Sequence, residues 1–173
     1  MKRKRKPLAA LQHCLLLSAF AGTVLLYFLV KQTEHFGAYE VLRVVDGDTI
    51  IVSIEGSETT VRLIGVDAPE SVHPDSSRNS ESGKIASEFT AELLTGKQVY
   101  LEYDRERTDS YGRTLAYVWL DHKMVEETLL ENGMATVLTI QPNTRYAARF
   151  VQIEQQAKEG DIGIWSKFGL NRS

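Results

Sequence analysis

The sequence predicts an α+β domain, in which a small β-barrel or sheet packs against helices, preceded by one membrane-spanning helix. Three observations support this prediction. An apolar run near the N-terminus is long enough to cross a bilayer, short runs rich in Val, Ile and Thr follow it, and segments of helical periodicity lie between and after those runs. A chain of 173 residues suffices for one ordinary domain plus such an extra segment.

The N-terminal segment has the composition of an uncleaved signal-anchor. Residues 1–7 include five consecutive basic residues and are expected to be cytoplasmic, whereas residues 8–30 contain no Lys, Arg, Asp or Glu. About 20 apolar residues span a bilayer core, and basic residues ahead of the span favour a domain on the extracytoplasmic side. A cleaved secretory signal, giving a secreted protein, is one alternative, although cutting after Ala21 would leave an apolar stretch exposed. An organellar membrane is another.

The rest of the chain is acidic. The formal net charge is −3, but Met1–Tyr39 hold six of the 20 Lys and Arg and one of the 23 Asp and Glu, so Glu40–Ser173 keep 14 basic and 22 acidic residues, a net −8. This charge argues against a broad basic surface that grips nucleic acid by neutralising phosphates. It remains compatible with an enzyme that has a local cationic site and also a bound divalent metal.

The order of the elements follows from hydrophobic periodicity and from breaker residues. We expect a polar tether at residues 31–38, a folded domain at 39–168 and a tail at 169–173. Apolar alternation and β-branched residues predict five strands, at Tyr39–Val45, Ile50–Ile54, Thr59–Val66, Val99–Tyr103 and Arg113–Leu120. Helical spacing and glycine stops predict three helices, at Gly83–Leu94, Met124–Asn132 and Thr144–Lys158, with a Ser-rich loop at Ser71–Ser82 and an extended segment at Ala135–Ile140.

The second and third strands form a predicted hairpin with acidic residues at both ends. Its turn at Glu55–Glu58 returns the chain, so Asp48 should meet Asp67 and Glu70 in space. Carboxylate and carbonyl oxygens are ligands that calcium prefers, and carboxylates held this close repel each other unless a cation or protons intervene. We therefore expect a metal or active site here. Asp46 is interpreted as a residue that caps the turn.

Two arginines lie near this predicted site. By alternation Arg62 shares a face with Ile64 and Val66, and an arginine on an apolar face needs a partner. That partner is either one of the carboxylates or a substrate phosphate, whose geometry suits the guanidinium fork. Arg113 follows a glycine at the mouth of a strand and is a second candidate. Together they indicate a site that handles phosphoryl groups.

Several motifs resemble those of the thermonuclease family, the staphylococcal nuclease homologues. They are V-V-D-G-D-T-I, V-R-L-I-G-V-D-A-P-E, T-D-S-Y-G-R-T-L-A-Y-V-W, V-E-E-T-L-L-E-N-G and G-I-W-S, in order over nearly all of Tyr39–Ser166. The resemblance implies a five-stranded OB-type barrel with three helices. It also implies calcium-dependent hydrolysis of phosphodiester bonds in DNA and RNA that leaves 3′-phosphate ends.

The resemblance assigns roles to individual residues. By position in the motifs, it implies Asp48, Asp67 and the Ala68 carbonyl as calcium ligands, Glu70 as general base for the attacking water, Arg62 and Arg113 as stabilisers of phosphate charge, and Tyr111 in the phosphate pocket. Nucleic acid is then the substrate partner and the membrane a second partner. We expect a monomer with no obligate protein partner.

Two departures from the family pattern concern substrate binding. The family has aromatic rings for base stacking where this chain has Leu138 and Ile140, and stacking contributes about 1–3 kcal/mol per base. The loop after Glu70 lacks the lysines of some relatives, and His73 is interpreted as a loop residue. The alternatives are a catalytically weak OB-type module that binds nucleic acid or protein, and an extracytoplasmic interaction domain with structural calcium. Neither requires Glu70 together with both arginines.

Overall fold

The computed structural model describes residues 36–71 and 80–166, which belong to one compact unit that starts at Phe36. The membrane-spanning segment predicted at residues 8–30 lies outside the described residues, as do the predicted tail and His73. Within the two described ranges, no helix is both long and apolar enough to cross a bilayer.

Five strands close into a barrel, as the sequence predicts. They are β1 (Phe36–Asp46), β2 (Thr49–Ile54), β3 (Ser57–Leu63), β5 (Gln98–Glu102) and β6 (Thr114–Leu120). The described residues also contain three two-residue strands, β4 (Val66–Asp67), β7 (Lys123–Met124) and β8 (Thr136–Val137). The main sheet has the order β3-β2-β1-β5-β6-β7, and a parallel pairing of β3 with β6 closes the first five into a barrel. The short β4 and β8 pair with each other in a separate ladder. Closure gives the barrel strands hydrogen-bonded neighbours on both sides, which removes open edges.

Three helices pack against the barrel, again as predicted. They are α1 (Glu81–Leu94), α2 (Val125–Glu131) and α3 (Ala147–Glu159), and a 3-10 turn follows at Gly163–Trp165. The Ser80 side chain caps α1 by accepting a hydrogen bond from the Gly83 amide at 2.9 Å. α3 begins three residues later than predicted, because residues 144–147 form a turn in which the Ala147 amide donates to the Thr144 carbonyl.

The barrel interior is the hydrophobic core. The inward residues of the strands are fully or almost fully buried and form one cluster with residues of α1, α2 and α3, among them Val41, Ile50, Val52, Val61, Leu63, Leu94, Leu101, Val118, Leu129 and Phe150. The buried ring of Tyr117 in β6 forms a T-shaped pair with the Tyr146 ring at a centroid distance of 4.7 Å and lies 6.1 Å from the Phe150 ring. These rings dock α3 against the barrel.

Some predicted boundaries are wrong at the ends of elements. β1 begins at Phe36 rather than Tyr39 and pairs at once with β5. β3 ends at Leu63, and a turn with Gly65 at φ +85° precedes β4, so the predicted strand Thr59–Val66 is interrupted. The expectation that Arg62 shares an apolar face with Ile64 and Val66 is therefore wrong, since alternation does not continue through the turn. Of the extended segment predicted at Ala135–Ile140, only Thr136–Val137 forms a strand.

Candidate functional site

The hairpin of β2 and β3 brings the two acidic groups together, as predicted. The register runs from Thr49 opposite Arg62 to Ile54 opposite Ser57. Its turn, at Glu55 and Gly56, has positive φ at both positions (52° and 79°), which matches the twist of a tight hairpin. Beyond the paired residues, the Leu63 amide donates to the Asp48 carbonyl at 3.0 Å. The chain that leaves β3 therefore passes directly beside Asp48.

Asp48 is the buried acid of the site, with 5% of its surface exposed. Its Oδ2 accepts a hydrogen bond from the Ala68 amide at 2.7 Å, and its Oδ1 accepts one from the Thr49 hydroxyl at 3.1 Å. Burial raises the pKa of Asp48 to about 7, the guanidinium of Arg62 opposes this, and the nearby Asp46 carboxylate adds to the rise. Nearby positive charge therefore favours the ionised form of Asp48.

Arg62 supplies positive charge between two carboxylates. Its Nη2 lies 3.0 Å from Asp48 Oδ2 and 3.0 Å from Asp67 Oδ1. Its Nη1 donates to the carbonyl oxygens of Leu63 and Val66, each at 2.8 Å. Of the two partners that the sequence left open, the structure shows the carboxylates. The two hydrogen bonds to the turn also fix the guanidinium in place.

Glu70 is held by the beginning of α1. The Ser80 amide donates to the Glu70 carbonyl at 2.9 Å, so the capping residue of the helix also anchors Glu70. A Cβ on Gly83 would lie 2.0 Å from the same carbonyl oxygen, which shows how closely the first helical turn approaches. Glu70 lies in the same pocket wall as Asp48 and Asp67. Over the described ranges, however, no three Asp, Glu, His or Cys side chains converge into a ready-made metal centre.

Arg113 is oriented by a neighbour that the sequence analysis missed. Asp109 Oδ2 accepts from Arg113 Nε at 2.7 Å, and Asp109 Oδ1 accepts from the amides of Tyr111 and Arg113, each at 2.9 Å. Burial acts to raise the pKa of Asp109, but the hydrogen bonds from Arg113 and Tyr111 outweigh it and lower the pKa below its ordinary value. Tyr111 is 84% exposed, and the Arg113 guanidinium lies 5.5 Å from the centre of its ring.

All seven residues singled out from the sequence line one pocket of about 560 Å³. Among the described residues of this lining, six carry carboxylates and two carry guanidinium groups, namely Asp46, Asp48, Asp67, Glu70, Glu106 and Asp109 against Arg62 and Arg113. Leu138 and Ile140 form an aliphatic part of the wall, with 38% and 63% of their surfaces exposed. A pocket this rich in carboxylates disfavours an anion unless a cation is also present.

Two further residues line the pocket but were not assigned to the site from the sequence. Asp46 does cap the turn, since its Oδ1 accepts from the Asp48 amide at 3.2 Å, but it also lies in the pocket and raises the pKa of Asp48. Asn143 is buried, donating to the Glu106 carbonyl at 2.8 Å and accepting from the Glu106 amide at 2.9 Å. It therefore joins the loop before β6 to the turn before α3. The partner of Arg113, Asp109, could have been found from the sequence, because it lies four residues before Arg113 in a segment with the composition of a turn.

Comparisons with known proteins identify the family of this chain. The model of the family described as staphylococcal nuclease homologue matches residues 60–167. The chain is 47% identical over 128 residues to a thermonuclease of Staphylococcus hyicus, covering 74% of this chain and 75% of that protein. It is 45% identical to a thermonuclease of Staphylococcus intermedius (75% and 77% covered) and 45% identical to endonuclease YncB of Bacillus subtilis (73% and 61% covered). The chain belongs to the staphylococcal nuclease homologue family.

Proposed function

We propose that this protein is a calcium-dependent nuclease that hydrolyses phosphodiester bonds of DNA, RNA or both and leaves 3′-phosphate ends. The observation that carries the proposal is the single pocket in which Glu70, Arg113 and the Asp48–Arg62–Asp67 cluster meet. Binding alone requires neither a carboxylate placed as a base nor two guanidinium groups. The nuclease names of the relatives support the same reaction class.

The donor set of the pocket fits calcium. Asp48 and Asp67 both approach the same cationic nitrogen at 3.0 Å, so their oxygens converge on one point of positive charge. The Ala68 backbone adjoins Asp48, and its carbonyl would be a third oxygen donor of the kind that calcium accepts. The excess of carboxylates in the lining needs positive charge before a phosphodiester can bind. When bound, calcium would polarise the phosphate and help hold the attacking water.

The residues of the chain perform the remaining steps. Glu70 would accept a proton from the water as it attacks phosphorus, a role for which the α1 anchor fixes the backbone of Glu70. Arg113, oriented by Asp109, would donate hydrogen bonds to the phosphate oxygens as negative charge accumulates on them. Arg62, which lines the same pocket, would add positive charge near the phosphate. Cleavage of the bond between phosphorus and the 5′ oxygen leaves the phosphate on the 3′ oxygen.

The side chains that bind the substrate would differ from those of the family, which has aromatic rings for base stacking at the positions of Leu138 and Ile140. Tyr111 presents an exposed ring beside Arg113, whereas Leu138 and Ile140 offer aliphatic surface that cannot stack as a ring does. The acidic domain adds no broad attraction for phosphates. We therefore expect a weak affinity for nucleic acid and a modest preference among bases.

The test is cleavage by the purified full-length chain. Circular single-stranded DNA and single-stranded RNA are incubated with calcium, with magnesium or with a chelator, and the ends of the products are identified. Calcium-dependent cleavage with 3′-phosphate ends is expected. Binding without cleavage at any calcium concentration would refute the nuclease and favour the binding module.

We further propose that residues 8–30 anchor the protein in a membrane, with residues 1–7 cytoplasmic and the nuclease domain on the extracytoplasmic side. This proposal rests on the uncharged apolar run and on the basic residues ahead of it. Membrane association that resists carbonate extraction is expected. Recovery of soluble protein with the mass of the domain alone would instead indicate a cleaved signal and a secreted enzyme.

A further inference from the structure

The guanidinium of Arg62 occupies the point on which the two acidic ligand candidates converge. Nη2 lies 3.0 Å from an oxygen of Asp48 and 3.0 Å from an oxygen of Asp67. The Arg62 side chain is 13% exposed and that of Asp48 is 7% exposed, so bulk water screens their contact weakly. The contact with the more exposed Asp67 is screened more strongly. A single nitrogen thus contacts both carboxylates and holds them side by side, although its one positive charge offsets only one of their two negative charges.

The two carboxylates differ in their freedom to leave this arrangement. Asp48 is fixed by the Ala68 amide and the Thr49 hydroxyl and is almost completely buried. The Asp67 side chain is 55% exposed and can reach solvent by rotation. Arg62 itself is fixed through Nη1 by two carbonyl oxygens of the turn. The guanidinium therefore stays close to Asp48, whereas Asp67 can exchange one cation for another.

From this geometry we propose that Arg62 is a resident counter-ion that competes with calcium for the oxygens of Asp48 and Asp67. The inference rests on the calcium dependence proposed above. Arg62 has two opposite effects on a divalent cation in this position. It favours binding by holding the exposed Asp67 in place, and it opposes binding through charge repulsion over a few ångströms.

Repulsion is the larger of the two effects. Holding one exposed side chain saves only the rotamer entropy of that side chain. A fixed positive charge near a divalent cation acts at short range in a partly buried site, where Coulomb energies are several times those in water. Arg62 should therefore lower the calcium affinity of the site while stabilising the calcium-free protein.

The test measures calcium binding without nucleic acid, by calorimetry on the full-length protein. Arg62→Gln removes the charge and should tighten calcium binding by about threefold or more. The same variant should melt at a lower temperature than wild type without calcium, because the buried Asp48 then loses its cationic partner. Added calcium should raise the melting temperature of the variant more than that of wild type. Arg62→Lys keeps a charge but cannot reproduce all four contacts of the guanidinium, so its affinity should lie between the two.

Two other arginines provide matched controls. Arg113→Gln removes the same charge from the same pocket, but Arg113 pairs with Asp109. Arg43→Gln removes an exposed arginine that pairs with Glu58 on the outside of the hairpin. Both variants should bind calcium within about twofold of wild type, since neither contacts Asp48 or Asp67.

The outcomes separate this inference from the proposed function. If wild type binds calcium and neither Arg62→Gln nor Arg62→Lys binds it more tightly, the competition is refuted even if the enzyme cleaves DNA. If Arg62→Gln fails to fold, the comparison of Arg62→Lys with wild type decides alone. If wild type binds calcium but cleaves nothing, the nuclease proposal fails and the counter-ion role stands. If wild type binds no calcium, both fail.

Discussion

The close contact between α1 and Glu70 predicts that one methyl group will damage catalysis more than stability. In Gly83→Ala, the new Cβ would lie 2.0 Å from the Glu70 carbonyl oxygen, 2.4 Å from its carbonyl carbon and 2.8 Å from the Pro69 carbonyl oxygen, whereas ordinary contact begins near 3.4 Å. These atoms belong to the backbone and cannot rotate away. The segment that carries the proposed general base must therefore move by about 1 Å.

The size of the effect follows from that displacement. A shift of about 1 Å in a reacting group can cost on the order of 100-fold in rate, so we expect kcat/KM for calcium-dependent cleavage to fall about 100-fold. Stability should change less. Alanine gains about 1 kcal/mol over glycine in a helix, which offsets part of an overpacking cost of about 1–3 kcal/mol.

A second glycine just after the same helix provides the control. Gly96 has φ +70°, and among the residues that the structure describes no atom apart from its two neighbours in the chain lies within 4 Å of the position of its Cβ. Gly96→Ala should therefore lose about 1–2 kcal/mol from the strained backbone and keep its activity. Cleavage kinetics and urea unfolding of both variants are the assay. Wild-type kcat/KM in Gly83→Ala, or equal loss of activity in both variants, would refute the role of this contact.

Three further predictions concern charge and packing. Glu126 is fully buried, its carboxylate accepts from the Val118 amide, and burial raises its pKa well above the ordinary 4.5. Its neutral form stabilises the fold at low pH. The free energy of unfolding of wild type should therefore fall by about 1.4 kcal/mol for each pH unit above about 4.5, until the pKa of the folded state is passed. Glu126→Gln should lack this fall, and parallel curves of stability against pH for the two proteins would contradict the prediction. Asp109→Asn should lower kcat/KM about 10- to 100-fold by releasing Arg113, with an unchanged circular dichroism spectrum, and an unaffected rate would show that Arg113 needs no orientation. Gly133 has φ +60°, and a Cβ there would lie 2.3 Å from the carbonyl oxygen of Ile162. Gly133→Ala should therefore lower the free energy of unfolding in urea by about 2–4 kcal/mol. An unchanged midpoint of unfolding would contradict this packing.

The strands and helices were predictable because their local patterns of alternation, spacing and turn residues agree with the barrel that the strands form. Alternation marks β2 and β3, a glycine-containing turn joins them, and the register of the hairpin then fixes which acids meet. This prediction needs only the residues of the hairpin itself. It failed at the end of β3, where the turn at Gly65 interrupts the alternation on which the placement of Arg62 depended.

The acidic residues of the candidate site could be predicted from the sequence, whereas the groups that contact them were harder to predict. Sequence reasoning narrowed the partner of Arg62 to a carboxylate or a phosphate, and the structure adds that one nitrogen serves two carboxylates. Asp46 was assigned to the turn alone because a capping role satisfied its side chain, yet its charge still acts on Asp48. Asn143 depends on a contact between segments 37 residues apart in the chain, which no local pattern encodes.

The most direct test of the central claim is the rate of calcium-dependent DNA cleavage by wild type and by Glu70→Gln, measured side by side at saturating calcium. Glutamine keeps the shape of the side chain but cannot accept the proton, and general base catalysis contributes about 100- to 10,000-fold. We expect robust cleavage by wild type and a loss of that size in the variant, with calcium binding retained. Equal rates in the two proteins would contradict the assignment of Glu70, and no calcium-dependent cleavage by wild type would contradict the nuclease function itself.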